Sequence, residues 1–397
     1  MSNMVRGFVN QCTRFYNKMT VRETMRPYVP SQPADPASFA GRAELVHAVR
    51  LLLEEARGLR RSSALLLHGY RGSGKTSAIR KIEAMVQEEI PGALSVELQL
   101  RAQSSEDYLL LSIVKDIHRQ LEGRKELSGR LKEWLGRIGS VSIAGTGVVL
   151  GPRKRVSVAE GLTLWKSCIE ALEKEPLILV CIDDAELLDT RGLGTLKTIA
   201  ESRPPVPVIL VVAGGVELWD RLSRKDASPV VRIFSGAVFD IGEFTLDETR
   251  EAVEAPVARV GGTGRWTEDG IQEVHTLSHG YPYLVQCLAA AAYSDGMDIG
   301  SGRVRERLQE ALRIGADWLE RESVDLSEED VRAFAKMASG GKATFRTSEI
   351  LSLGIRNVYI DRLIRQGILR KVSRGRYELR KAPAIAYYHA LRRGISW

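Results

Sequence analysis

Cysteine is scarce in this chain. Cys12, Cys168, Cys181 and Cys287 are its only four in 397 residues, far apart and without metal-ligand spacing. A disulfide framework and a structural zinc site are therefore not expected. Cys181 and Cys287 lie in apolar runs and read as small buried hydrophobes. Long apolar runs are also missing, and nothing approaches the ~18 uninterrupted apolar residues of a membrane helix. The first nineteen residues, MSNMVRGFVNQCTRFYNKM, lack the apolar core of a secretory signal. No internal repeat or long low-complexity tract appears, and a reducing cytoplasm is the expected compartment, with no membrane partner. Hydrophobic content of 44% and charged content of 27% fit two or three folded domains.

Acidic residues are sparse at one end only. Leu326–Trp397 holds 15 Lys/Arg against 6 Asp/Glu, a surplus of nine in a chain of net charge +7, so the remainder nets −2. A basic module of this kind meets a polyanion or presents a solvated basic surface, and charge alone does not separate the two.

What is present is more specific. Gly69-Tyr70-Arg71-Gly72-Ser73-Gly74-Lys75-Thr76 matches G-x-x-x-x-G-K-[ST], the phosphate-binding P-loop. It follows the apolar run Ala64–Leu67 and precedes a helical stripe of Ile79, Ile82, Met85 and Val86. Glycines let backbone N–H groups turn toward phosphates, and the helix start adds a positive dipole end. Lys75 is expected to reach the β- and γ-phosphates of ATP, Thr76 to ligate Mg²⁺, and Ser77 to line the same cradle.

A second apolar run, Leu177–Ile182, reads as a strand buried on both faces and ends in Asp183-Asp184-Ala185-Glu186. Carboxylates at such a strand end face the ligand crevice. Asp183 is the candidate to hold the metal through water. Asp184 is the candidate to polarise the attacking water, with Glu186 as the alternative. Asp183 and Asp184 also suit plain helix capping. Leu94–Leu100 and Val208–Gly215 read as further strands, which predicts a parallel α/β sheet sandwiched by helices.

Two segments carry a family resemblance. Ser38–Leu45 (SFAGRAEL) resembles the F-x-G-R-x-x-E-L box of origin-recognition-like AAA+ ATPases, and Leu277–Gln286 (LSHGYPYLVQ) resembles the G-x-P-x-x-x-Q start of their lid helix. The resemblance runs from about Phe39 to the C-terminus. It implies that Gly41 and Arg42 lie beside the adenine, that a helical lid follows the sheet, and that ATP sits between sheet and lid and bridges subunits of a homo-oligomer. It also implies a trans-acting arginine finger at Arg232, with Arg221 and Arg224 as competitors. Three departures point to slow or partner-stimulated hydrolysis. No polar residue ends the strand at Ala213-Gly214-Gly215, no sensor arginine follows in Tyr281-Pro282-Tyr283, and Asp184 replaces the commoner glutamate.

The expected organisation is an N-terminal arm (1–37), an ATPase domain (38–241), a helical lid (242–325) and a C-terminal winged-helix domain (326–397). Pro27, Pro30, Pro33 and Pro36 mark the arm as extended. A β-hairpin insertion is expected at 139–155, either decorative or a contact to DNA or a partner. In the basic tail, Asp330–Ser339, Thr347–Gly354 and Asn357–Gln366 read as helices. Ile368–Val372 and Arg376–Arg380 then read as strands around a basic turn, the layout of a winged helix. Arg362, Arg365, Arg370, Lys371, Arg374 and Arg376 are the candidate DNA contacts. No Asn/Gln/Arg cluster occupies base-reading positions, so sequence selectivity is expected to be weak. The leading expectation is a DNA-associated ATP switch. The rivals are a signalling or defence ATPase whose tail binds an effector protein, and a transposase helper.

Overall fold

The computed structural model describes residues 26–100, 106–121, 163, 165–166, 168–170, 172, 175–201, 206–224, 228–235, 237–321 and 326–396. The hairpin expected at 139–155 and the start of the arm lie outside the described residues. The chain divides into two compact units, one of Arg42–Gly242 and one of Met1–Gly41 with Glu243–Trp397.

The first unit is a five-stranded sheet in the order β2-β3-β4-β1-β5, with β1 Ser63–His68, β2 Leu94–Gln99, β3 Ile178–Asp183, β4 Val208–Gly214 and β5 Val238–Asp240. Every pairing is parallel. β3 and β4 are buried at every position, which is why they read as continuous apolar runs. Its helices include α1 (Ala43–Leu59), α2 (Lys75–Glu89), α3 (Glu106–Leu121), α4 (Thr190–Glu201) and α5 (Val216–Leu222). α2 buries Ala78, Ile79, Ile82, Met85 and Val86, a helical stripe. The register brings the strand ends level: His68 pairs with Gly214, and Ile182 with Val212. The loop after β1 and the carboxylates after β3 therefore emerge on one edge, with the tip of β4 between them. This is a P-loop ATPase-like α/β fold.

The second unit starts with residues 26–41. Buried Tyr28 packs edge-on to Trp266 and Tyr293, and its hydroxyl accepts from Trp266 Nε1 at 2.7 Å while donating to the Val253 carbonyl. Residues 26–37, expected as part of an extended arm, are thus tied to a helical layer. That layer holds α6 (Leu246–Val260), α7 (Glu268–Ser278), α8 (Pro282–Ala292), α9 (Ser301–Glu306), α10 (Leu308–Ile314) and α11 (Ala316–Arg321). A small parallel pair also belongs to it, β6 (Arg265–Trp266) with β7 (Asp298–Ile299). Gly280 has φ +72°, and a Cβ there would fall 2.2 Å from the Phe244 carbonyl oxygen, so only glycine suits the turn into α8. Gln286 of α8 donates to the Ala252 carbonyl on α6 at 3.2 Å.

Residues 326–396 contribute α12 (Glu328–Ser339), β8 (Thr344–Arg346), α13 (Thr347–Ser352), α14 (Asn357–Arg365), β9 (Leu369–Ser373), β10 (Arg376–Leu379) and α15 (Pro383–Arg392). The strands form an antiparallel sheet, order β8-β10-β9. The stretches expected as separate domains at 242–325 and 326–397 share one core. Every residue of α15 from Pro383 to Ala390 is buried, because that helix packs on α12 and also on α7 and α11. A helix buried all round needs cover on every side.

Candidate nucleotide-binding site

The loop from Gly69 to Gly74 turns through two left-handed glycines, Gly72 at φ +79° and Gly74 at φ +98°, the second serving as N-cap of α2. Gly69 is needed for a different reason. A Cβ there would lie 2.2 Å from the Ile241 carbonyl oxygen, a backbone atom fixed by the bond from its own N–H to the His68 carbonyl. Gly69→Ala is expected to cost about 1–3 kcal/mol of stability by overpacking. It should also weaken ATP binding, as read by thermal melting and an ATP titration.

Lys75 opens α2 and donates to the carbonyls of Gly69 and Tyr70, each at 2.9 Å. Burial holds its ammonium below its ordinary value, while Glu186, then Asp183, Asp184 and Glu217 pull the other way. Thr76 donates its hydroxyl to Asp183 at 2.5 Å, and the other Asp183 oxygen accepts from the Asp184 N–H at 2.9 Å. Asp183 is buried, as is the Ser73 hydroxyl, which has no hydrogen-bond partner among the described residues. Tyr70 and Arg71 are exposed on the loop, and Ser77 is half-buried in the first turn of α2.

A half-buried hydroxyl on a buried carboxylate, beside a lysine, is an all-oxygen donor set, which fits Mg²⁺, a cation that keeps several waters and takes few protein ligands. Thr76 and Asp183 are the residues that would hold it.

Past β3 the two remaining carboxylates part company. Asp184 sits at φ +56°, and its carboxylate accepts from Gln99 on β2 at 3.3 Å. Burial, then Asp183, holds it above the usual carboxylate range. Glu186 lies in the 3₁₀ turn Ala185–Leu187 and reaches the other way, accepting from the Gly215 N–H at 2.9 Å. Arg221 of α5 donates to the carbonyls of Glu186 at 2.9 Å and Leu188 at 2.7 Å, holding that turn. Read in the sequence as a finger competitor, Arg221 is committed within its own unit. Arg232 is exposed at the start of the 3₁₀ turn Arg232–Phe234, with no ion pair among the described residues. Arg224 is exposed as well.

The thiols of Cys168 and Cys287 are pushed up to about 12 by burial, and that of Cys181 is raised too. All three are inert core residues. Among the described residues no group of His, Cys, Asp and Glu could by itself hold a metal, and no helix is long and apolar enough to cross a membrane.

Residues 38–212 match the AAA ATPase domain. No curated protein sequence matches the chain. Among solved structures, the chain is similar to the Walker-type ATPase PABY2304 of Pyrococcus abyssi at 17% identity and TM-score 0.48, covering 88% of this chain and 95% of that one. It is also similar to Cdc6p of Pyrobaculum aerophilum at 16% identity and TM-score 0.46, covering 91% and 97%. The ORC1 protein of Aeropyrum pernix, solved with DNA, gives 16% identity and TM-score 0.44 over 89% and 92%. The AAA ATPase domain contains the whole P-loop, Arg42, Asp183, Asp184 and Glu186. Arg42 is in the left-handed region at φ 60° and donates to the Gly242 carbonyl within its unit. Gly41 belongs to the other unit, where its N–H donates to Glu251 at 2.7 Å.

The basic candidates of the tail divide. Arg362 is bound to the buried carboxylate of Asp330 at 2.6 Å and to the Ser327 hydroxyl at 3.0 Å, which takes it out of the outward set. Arg370 pairs with Glu378 at 2.6 Å. Arg365, Lys371, Arg374 and Arg376 are exposed, without acidic partners among the described residues. Arg346, which the sequence reading missed, lies directly across from Arg376 on the neighbouring strand. Its signal was the alternation in Thr344-Phe345-Arg346, which turns Phe345 inward and Arg346 outward.

Proposed function

We propose that this chain binds Mg²⁺–ATP at Gly69–Ser77 and works as a slow, nucleotide-dependent switch whose C-terminal module, a winged helix, associates with DNA. The observation that carries the nucleotide reading is the Thr76–Asp183 contact at 2.5 Å beside the Lys75 ammonium, on the edge of a parallel sheet. Loop amides and Lys75 hold the phosphates, and Mg²⁺ at Thr76 and Asp183 offsets their charge. The tip Ala213-Gly214-Gly215 has no polar side chain of its own to sense the γ-phosphate, which supports a bound state that outlasts turnover. Arg232, exposed on its turn, is the candidate to complete the site of a second copy of this chain.

The winged-helix reading rests on the order α12-β8-α13-α14-β9-β10, with the turn between β9 and β10 exposed at Arg374. Arg346 opposite Arg376 is a like-charge pair that costs stability in isolation and is relieved by a polyanion. The outward side of α14 holds Asn357, Val358, Asp361 and Arg365, a poor base reader. Backbone contact without sequence choice follows.

DNA affinity measured from 50 to 200 mM salt tests this. With about four phosphate contacts the log–log slope is about −3.6, so affinity should fall on the order of 100-fold. Arg374→Ala with Arg376→Ala should flatten the slope by about two. DNA binding insensitive to salt, or absent, sinks the DNA reading and leaves the nucleotide site standing. A protein partner is the second reading, favoured by Leu351, Val358 and Val372, apolar and exposed on α13, α14 and β9. It predicts ATP-dependent effector binding and no DNA affinity.

A further inference from the structure

We infer that Glu186, not its neighbour Asp184, orients the water that attacks the γ-phosphate, an assignment that rests on the ATP-binding reading above. Two features of the backbone separate the pair. The left-handed turn at Asp184 directs its carboxylate to Gln99 on β2, the strand on the far side of β3 from β4 and the P-loop. The following 3₁₀ turn brings Glu186 back across the sheet to the Gly215 N–H at the tip of β4. In the sheet order that tip lies between the carboxylates of β3 and the P-loop strand β1.

The room for it comes from glycine. A Cβ on Gly214 would lie 2.9 Å from the Glu186 carboxylate and 2.5 Å from Leu218, so a side chain at that position would displace Glu186. The strand tip that lacks a polar residue of its own is thus supplied with a carboxylate from the turn after β3. One Glu186 oxygen is engaged by the Gly215 N–H, which leaves the second to accept from water. Arg221 is the positioning residue: its two bonds to the Glu186 and Leu188 carbonyls fix the turn from which Glu186 projects.

In the step that follows, the water oxygen forms a bond to the γ-phosphorus. The bond from that phosphorus to the β,γ-bridging oxygen breaks, and ADP leaves with the electron pair. The water proton passes to Glu186 and then to the departing phosphate or solvent, which restores the carboxylate.

The test compares Glu186→Gln with Asp184→Asn in the full-length protein, measuring single-turnover hydrolysis of ATP with Mg²⁺ alongside ATP affinity and melting temperature. The amide oxygen of glutamine still accepts from Gly215, so folding and binding should persist while the rate falls about 100-fold or more. Glu186→Asp should recover part of that rate, and Asp184→Asn should lose less than about tenfold. Gly214→Ala should reproduce the Glu186→Gln loss by displacing the carboxylate. Equal or greater loss in Asp184→Asn, or a Glu186→Gln rate within about threefold of the parent, overturns the assignment. Tight ATP binding with no turnover in the parent protein overturns it too and leaves the binding reading intact. Absence of ATP binding in the parent overturns both.

Discussion

Lys75→Ala should abolish measurable ATP binding while leaving the protein folded. The ammonium is held by two backbone carbonyls of its own loop at 2.9 Å, and burial disfavours its charge. A triphosphate arriving at the loop offers it stronger, charged acceptors. Four carboxylates act on the same point, those of Glu186, Asp183, Asp184 and Glu217. Without the lysine, a highly anionic ligand would approach them with no ammonium at the start of α2 to offset the repulsion, and the loop's other cation, Arg71, is exposed to solvent. An uncompensated charge in a partly buried site costs about 3–5 kcal/mol, which is roughly 150- to 5,000-fold in Kd. The free protein, relieved of a desolvated ammonium, should melt within a few degrees of the parent. Calorimetric titration with Mg²⁺–ATP checks the loss. Parent-like affinity would show that phosphates do not sit at this loop.

Local features of the site were legible because they depend on few residues close in sequence. Gly72 and Gly74 adopt the left-handed backbone that the P-loop pattern demands, and Lys75 and Thr76 follow on the first turn of α2. β3 was legible as an apolar run, displaced by one residue because Asp183 still pairs with Gln99 in the sheet. What escaped was set by tertiary pairing. Nothing in Asp183-Asp184-Ala185-Glu186 says which carboxylate returns to β4, because that choice depends on the turn at Asp184 and on the space left by Gly214. Arg346 faces Arg376 only once the register of β8 on β10 is known. Residues 242–325 and 326–397 read as separate modules because the all-round burial of α15 is invisible until its neighbours are in place.

Arg362 illustrates the same limit and has the largest structural consequence. On the sequence it belongs to an outward basic stripe; in the fold its guanidinium closes on Asp330, a fully buried carboxylate thirty-two residues earlier. Asp330 also accepts from the Ser327 hydroxyl at 2.8 Å and the Ser327 N–H at 3.1 Å, the capping box of α12. The pair therefore pins the start of α12 to the middle of α14. Arg362→Ala strands the buried charge. Removing one partner of such a pair costs about 3–5 kcal/mol, and the Ser327 bonds place this case near the lower end. For a unit of this size that lowers the melting temperature by roughly 6–12 °C. Adding Asp330→Asn in the same chain should recover part of the loss, because a neutral amide carries no stranded charge. Arg365→Ala, on the exposed side of α14, should stay within about 0.5 kcal/mol of the parent. Below its melting point Arg362→Ala should keep the parent's salt slope for DNA, whereas Arg374→Ala with Arg376→Ala flattens it. A stable Arg362→Ala protein with a flattened slope would return this guanidinium to the phosphate contacts and undo its role as a tie between helices.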